Sequence, residues 1–119
     1  MRSNNWEVWH DVSWTEFETH SAIFGILRKE LKGKYFVRGE YVFLSQDGKQ
    51  IRPDISIFKL EQKGRPAVLK LVMEIKRDNA QDNGNNQKKK YEEILGVPCV
   101  VLTGKEGLQN VLNIVEEYL

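Results

Sequence analysis

The ten residues AVLKLVMEIK, Ala67 to Lys76, contain the most apolar run in the chain and constrain its fold more than any other stretch. Read as a strand with a side-chain period of two, they put Leu69, Leu71, Met73 and Ile75 on one face. Lys70, Val72, Glu74 and Lys76 take the opposite face. Either that second face is wet, or Glu74 and Lys76 share a task. The polar connector RDNAQDNGNN follows, without periodicity and rich in turn formers, and is expected to be mobile. A helical stretch from Gln87 to Leu95 ends at Gly96 and Pro98, and VPCVVLT then reads as a short buried strand.

Upstream, SWTEFETHSAIFGILRKELKG reads as a helix. Ser13 and Glu16 have capping-box spacing, Phe17, Phe24, Leu27 and Leu31 recur at helical intervals, and Gly33 is the stop. YFVRGEYVFL and IRPDISIFKL read as strands joined by the turn SQDG, with Pro53 marking an edge, a bulge or the start of the regular ladder. EQKGRP closes a hairpin into the strand at Ala67. GLQNVLNIVEEYL ends the chain as a helix with Leu108, Val111, Leu112 and Val115 on one face. The order is α, β, β, β, α, β, α. Three antiparallel strands and a helical crossover to a fourth imply an α/β fold: an αβββαβ core with a mixed central sheet flanked by helices, and an extra C-terminal helix.

A chain of 119 residues is long enough for one core, so a single domain spanning residues 1–119 is expected. Hydrophobic residues at 40% and charged residues at 29% place it among globular proteins rather than disordered ones. The formal charge of +1 gives no global attraction to phosphates, so nucleic-acid binding would need local basic clusters. The single cysteine, Cys99, sits in an apolar strand and reads as a buried, inert thiol. With no signal-peptide pattern and no long apolar segment, a cytoplasmic protein without membrane contact is expected.

The candidate chemistry lies on neighbouring strands. In RPDISIF, Arg52, Asp54 and Ser56 share a face opposite Ile51, Ile55 and Ile57. If the hairpin register sets Asp54 beside Glu74, two carboxylates converge near the Lys76 ammonium, an unfavourable pairing unless a cation lies between them. Oxygen-only donors with open positions suit Mg²⁺, or Mn²⁺, far better than zinc. Lys76 would position or help deprotonate a water and stabilise phosphate charge. On the first helix Glu16 leans to the inward face, either as a third acid or as partner of Ser13 in the cap; His20 is expected as a half-buried hydrogen-bonding residue. Gln87, Tyr91 and Leu95 share a stripe at i, i+4 and i+8, and Arg77, Lys88, Lys89 and Lys90 could grip a phosphate backbone or simply be solvated. Trp6, Trp9 and Trp14 are read as packing residues.

Pro53-Asp54, a hairpin, then Glu74-Ile75-Lys76, preceded by a helix with an acid and followed by one with QxxxY, resembles the PD-(D/E)XK nuclease superfamily of restriction-endonuclease-like fold. The run QKKKYEEILGVPCVVLTG is most similar to the N-terminal nuclease domain of type I restriction enzyme R subunits and related stand-alone nucleases. The resemblance spans roughly Ser13 to Thr103. It implies Asp54, Glu74 and Glu16 as metal ligands, Lys76 as the catalytic lysine, and Gln87 with Tyr91 as a supporting motif, with Arg77 and Lys88 at the substrate. It implies an Mg²⁺-dependent endonuclease acting on DNA. Two other readings stand beside it: a catalytically inactive module of the same fold binding nucleic acid or a partner protein, and a junction resolvase acting as a homodimer.

Overall fold

The first helix starts at Thr15 and not at Ser13. In the computed structural model, which describes residues 13–61 and 63–119, the Thr15 hydroxyl accepts the Glu18 N–H at 3.0 Å and the Glu18 carboxylate accepts the Thr15 N–H at 3.0 Å. This reciprocal box opens α1 at Glu16–Glu30 and corrects the expected Ser13/Glu16 box by two residues. The spacing T-x-x-E repeats S-x-x-E at this shift, and Ser13 is engaged elsewhere, accepting from Asn79 Nδ2 at 3.0 Å. Thr19, Ile23 and Leu27 form the buried stripe, with Phe24, Ile26 and Leu31 half-buried beside it. Phe17 falls about 200° round the helix from Thr19 and is 78% exposed, so it does not belong to the inward face. Gly33, at φ +90, turns the chain after the helix as expected.

Three antiparallel strands and one parallel strand make the main sheet: β1 (Tyr35–Gly39), β4 (Ile55–Lys59), β5 (Val68–Lys76) and β6 (Cys99–Thr103), in that spatial order. Helix α2 (Asn85–Leu95) makes the crossover between β5 and β6, and α3 (Gly104–Tyr118) closes the chain. The two expected ten-residue strands are each broken. The chain bends at Glu40, whose φ is 50, and at Pro53, which has no N–H to give a ladder. The intervening segments β2 (Phe43–Leu44) and β3 (Gln50–Ile51) pair with each other as a separate small hairpin. The Glu40 N–H donates to Asp54 O at 3.0 Å, so both bends sit at one level beside the end of the main sheet.

The sheet is covered on one face by α1 and α3 and on the other by α2 over β5 and β6. Ile55, Ile57, Leu71, Met73, Ile75 and Leu102 pack against Ile23 and Leu27 of α1 and Val111 and Val115 of α3. On the other face Val72 and Cys99 pack with Tyr91 of α2 and Ile51 of the hairpin. Full burial of side chains this size contributes about 1.5–3 kcal/mol each, which explains why β5, covered on both faces, is the most apolar run. One irregularity changes a facing. Ile57 pairs with Leu71 but Phe58 pairs with Leu69, so an extra residue in β5 turns Leu69 to the α2 face, away from Leu71, Met73 and Ile75.

In α3 the inward line runs through Gly104, Gly107, Val111 and Val115, while Leu112 is 43% exposed. A Cβ on Gly107 would stand 2.9 Å from the Leu102 Cβ, so the helix approaches β6 at a distance only glycine allows. Among the described residues no helix is long and apolar enough to cross a membrane. Trp6 and Trp9 lie outside the described residues, and Trp14 is half-buried.

The connector after β5 is tied down rather than loose. Asp78 gives its N–H to Trp14 O at 2.9 Å, and its carboxylate accepts the N–H of Trp14 at 2.7 Å and of Lys105 at 3.1 Å. Asp82 Oδ1 accepts the Gly84 N–H at 2.9 Å and Asn83 Oδ1 the Asn85 N–H at 3.0 Å, leading into α2. Asp78 thus serves as acceptor for chain far away in sequence, and Asp82 and Asn83 for N–H groups two residues on, which composition alone does not reveal.

Candidate active site

The start of β4 and the end of β5 meet at one end of the sheet. Their register, Ile55 opposite Met73, continues to Asp54 opposite Glu74. Asp54 is held at three points: its Oδ2 accepts the Ile75 N–H at 2.7 Å, and its backbone O accepts from Glu40 N and from His20 Nε2, each at 3.0 Å. His20 is thus half-buried, protonated on Nε2 in this contact, and stacked on Phe24 with centroids 6.1 Å apart. It ties α1 to the Pro53-Asp54 corner.

Glu74 is only 8% exposed. Burial, and then the neighbouring Asp54 charge, push its carboxyl up from 4.5 to about 7; the Asp54 N–H and the Lys76 charge pull the other way without cancelling this. Two carboxyls facing each other at a semi-buried strand end therefore share too little positive charge. Lys76 does not fill the deficit, because its Nζ lies 3.4 Å from Asp82 Oδ2. Beside Lys76 opens a polar cleft of about 270 Å³ walled by Glu16, Arg77, Ala80, Gln81 and Asp82.

The structure brings most of the sequence-selected residues to this end of the sheet, in different roles. Glu16 borders the cleft; it is not gathered with Asp54 and Glu74 into a three-ligand set, and among the described residues no three His, Cys, Asp or Glu side chains are so gathered. Arg77 stands at the cleft rim, its Nη1 donating to Asp78 O at 3.2 Å. Gln87 Nε2 donates to Tyr91 Oη at 2.9 Å, and the Tyr91 hydroxyl is directed at Arg52 O, 3.5 Å away. Burial, and then the charge of Glu74, raise the Tyr91 phenol, which places that ring behind the carboxylates in its neutral form.

Lys88 is not brought to the cleft. Its Nζ pairs with Glu92 at 3.0 Å and donates to Cys99 O at 2.7 Å, and Glu92 in turn accepts the Cys99 N–H at 3.1 Å. That N–H and then Lys88 hold Glu92 below the usual carboxylate range. Lys88 thus docks α2 onto the start of β6. Asp82, absent from the sequence reading, is the connector residue that reaches Lys76. The signal for it was Asp82-Asn83-Gly84, in which an Asp caps a glycine N–H two residues on; Gly84 has φ +76 and leaves room for Lys76 Cε and Val101.

The donor set fits a hard divalent cation. Asp54 offers a second carboxylate oxygen beside the Oδ2 that is bound to the Ile75 N–H, and Glu74 contributes a second carboxyl that a cation would ionise. The softer donors nearby are committed: His20 is bound to Asp54 O, and burial pushes the Cys99 thiol up to about 12. No protein-family model matches the chain, and neither does any curated protein or solved structure.

Proposed function

We infer that this chain is a divalent-metal-dependent nuclease of the PD-(D/E)XK type that hydrolyses phosphodiester bonds of DNA. The observation that carries this reading is the Asp54–Glu74 pair: two opposed carboxyls, one pushed up to about 7, with Lys76 two residues on at the mouth of a polar cleft. A solvated strand face would not bury Glu74 against a second acid. The αβββαβ order, with β6 parallel to β5, fits the restriction-endonuclease-like fold. The free, buried Cys99 fits a cytoplasmic setting.

In this reading Asp54 and Glu74 would hold Mg²⁺ or Mn²⁺, and the bound cation would supply the charge that polarises the phosphate and acidifies water. The Ile75 N–H and His20 fix Asp54 in place, so little reorganisation is needed on binding. Lys76 exchanges Asp82 for the substrate, placing its ammonium on the attacking water or on a phosphate oxygen. Glu16, across the cleft, orients water from the other side. Gln87 and Tyr91 buttress Glu74 from behind.

Purified protein is expected to nick or degrade DNA with Mg²⁺ or Mn²⁺ and not with EDTA. Asp54→Ala, Glu74→Ala and Lys76→Ala should each stay folded by circular dichroism and lose at least a hundredfold in rate. Three variants that cleave like the parent would overturn the assignment. A parent that never cleaves, and shows no calorimetric metal binding that depends on Asp54, would instead mark a non-catalytic binding module.

A further inference from the structure

The sheet face that carries Glu74 continues away from the cleft as an exposed aromatic surface. Arg38 pairs with Ser56, and Ser56 with Val72, so all three point to the α2 face, as do Phe36 and its partner Phe58. Helix α2 packs over β5 and β6 and the small hairpin lays Phe43 against Phe58, and among the described residues no element covers the β1 side of this face. Phe36 and Tyr41 are each 40% exposed.

Four rings meet there. Tyr41 lies edge-on to Phe43 at 5.0 Å and to Phe58 at 5.3 Å, and Phe36 is tilted against Phe58 at 6.3 Å. The Arg38 guanidinium sits over two of them, 5.3 Å from the Phe36 centroid and 5.8 Å from that of Tyr41. Neither Arg38 nor the exposed Arg52 has an ion-pair partner among the described residues. A hydrophobic patch built only for packing has no use for an unpaired guanidinium over its rings; a surface for flat, electron-rich rings on an anionic chain does. Strand spacing puts Arg38 roughly 8 Å from Asp54, Cα to Cα, across one strand and along one pleat repeat. An unpaired strand is longer per step than the ~3.4 Å of a stacked duplex strand, so that distance is about one to two nucleotides.

We propose that Phe36, Tyr41 and Phe58, with Arg38 over them, form a stacking platform for an unpaired base about one to two nucleotides from the cleaved phosphate, and that the substrate is DNA with a single-stranded element. The proposal takes its ligand class from the nuclease reading and adds the strand requirement. In a paired duplex the base faces are already stacked and cannot reach the platform. Arg38 and Arg52 meet the flanking phosphates, and the stacked base fixes the register of the chain across Asp54 and Glu74.

The test is anisotropy of a fluorescein-labelled 20-nucleotide strand, a blunt duplex of the same sequence and a duplex with a single-stranded tail, all in EDTA so that cleavage is absent. The single strand and the tailed duplex are expected to bind at least tenfold tighter than the blunt duplex. Tyr41→Leu and Arg38→Ala should each weaken that binding 5- to 100-fold, whereas Tyr41→Phe, which keeps the ring, should bind like the parent. Thermal melts check that the variants remain folded. Equal affinity for single-stranded and blunt DNA, or a Tyr41→Leu variant that binds like the parent, would overturn the proposal. So would light scattering that finds a dimer in the parent and a monomer in Tyr41→Leu, since the face would then join two copies. Because binding is read without metal, the two readings fail separately. Tail-independent cleavage of blunt duplex removes the platform and leaves the nuclease; ring-dependent binding without cleavage does the reverse.

Discussion

Glu74 is the residue at which folding and the proposed chemistry oppose each other. Its carboxyl is pushed up from 4.5 to about 7, first by burial and then by Asp54, so the folded chain holds this proton more tightly than the unfolded chain does. Below pH 4.5 the group is neutral in both states and costs nothing. Between pH 4.5 and about 7 the unfolded chain ionises first, stability falls, and above pH 7 the loss levels off at on the order of 3 kcal/mol. Glu74→Gln removes the titration while leaving an oxygen to accept the Asp54 N–H. Without metal, the variant should therefore match the parent near pH 4.5 and exceed it by about 2–3 kcal/mol at pH 8, while losing any nuclease activity. Urea midpoints at the two pH values check this, and a gap that does not widen with pH would mean that burial and Asp54 do not hold the proton on Glu74.

At the scale of elements, the sequence carried the αβββαβα order because each segment has its own periodicity and its own stop, such as Gly33 and Gly96, both at positive φ. The hairpin register was legible too: Asp54 and Glu74 face each other because the apolar sets of β4 and β5 must meet on one side. What the sequence could not carry were effects decided by distant partners. Glu40 takes φ 50 because its N–H reaches Asp54 O, and no local signal announces it. Leu69 changes face through one extra residue, and two overlapping capping-box spacings, Ser13/Glu16 and Thr15/Glu18, stand two residues apart. The connector read as mobile because its anchoring bonds at Asp78, such as that from the Trp14 N–H, reach across 64 residues of sequence. Asp78 joins the segment before α1, the end of β5 and the first turn of α3, where Thr103 offers no side-chain cap of its own. Asp78→Ala should accordingly cost about 2 kcal/mol in a urea titration, and Asp78→Asn, which keeps one acceptor, about half that. A change under ~0.5 kcal/mol on Asp78→Ala would show the junction to be held by packing alone.

For the molecule as a whole, a cation held by the carboxylate pair as proposed would link metal binding to global stability. The chain is nearly neutral, at +1, so no net field draws a cation or a polyanion to it, and attraction at this site is local. A ligand that binds only the folded state stabilises it by about 2.7 kcal/mol at a hundred times its dissociation constant. For a chain of this length that corresponds to a rise in melting temperature of roughly 5–15 °C. The rise should depend on pH, because Glu74 must lose its proton to serve as a ligand: near pH 8 that proton is largely gone, while at pH 5.5 the cation must displace it. Saturating Mg²⁺ or Mn²⁺ is therefore expected to raise the melting temperature by at least 5 °C at pH 8 and by much less at pH 5.5, with Asp54→Ala abolishing the shift. Lys76→Ala should keep the shift, since the ammonium is paired with Asp82 and takes no part in holding the cation. Differential scanning fluorimetry with and without metal separates these cases. A shift that survives Asp54→Ala would place the cation elsewhere on the molecule.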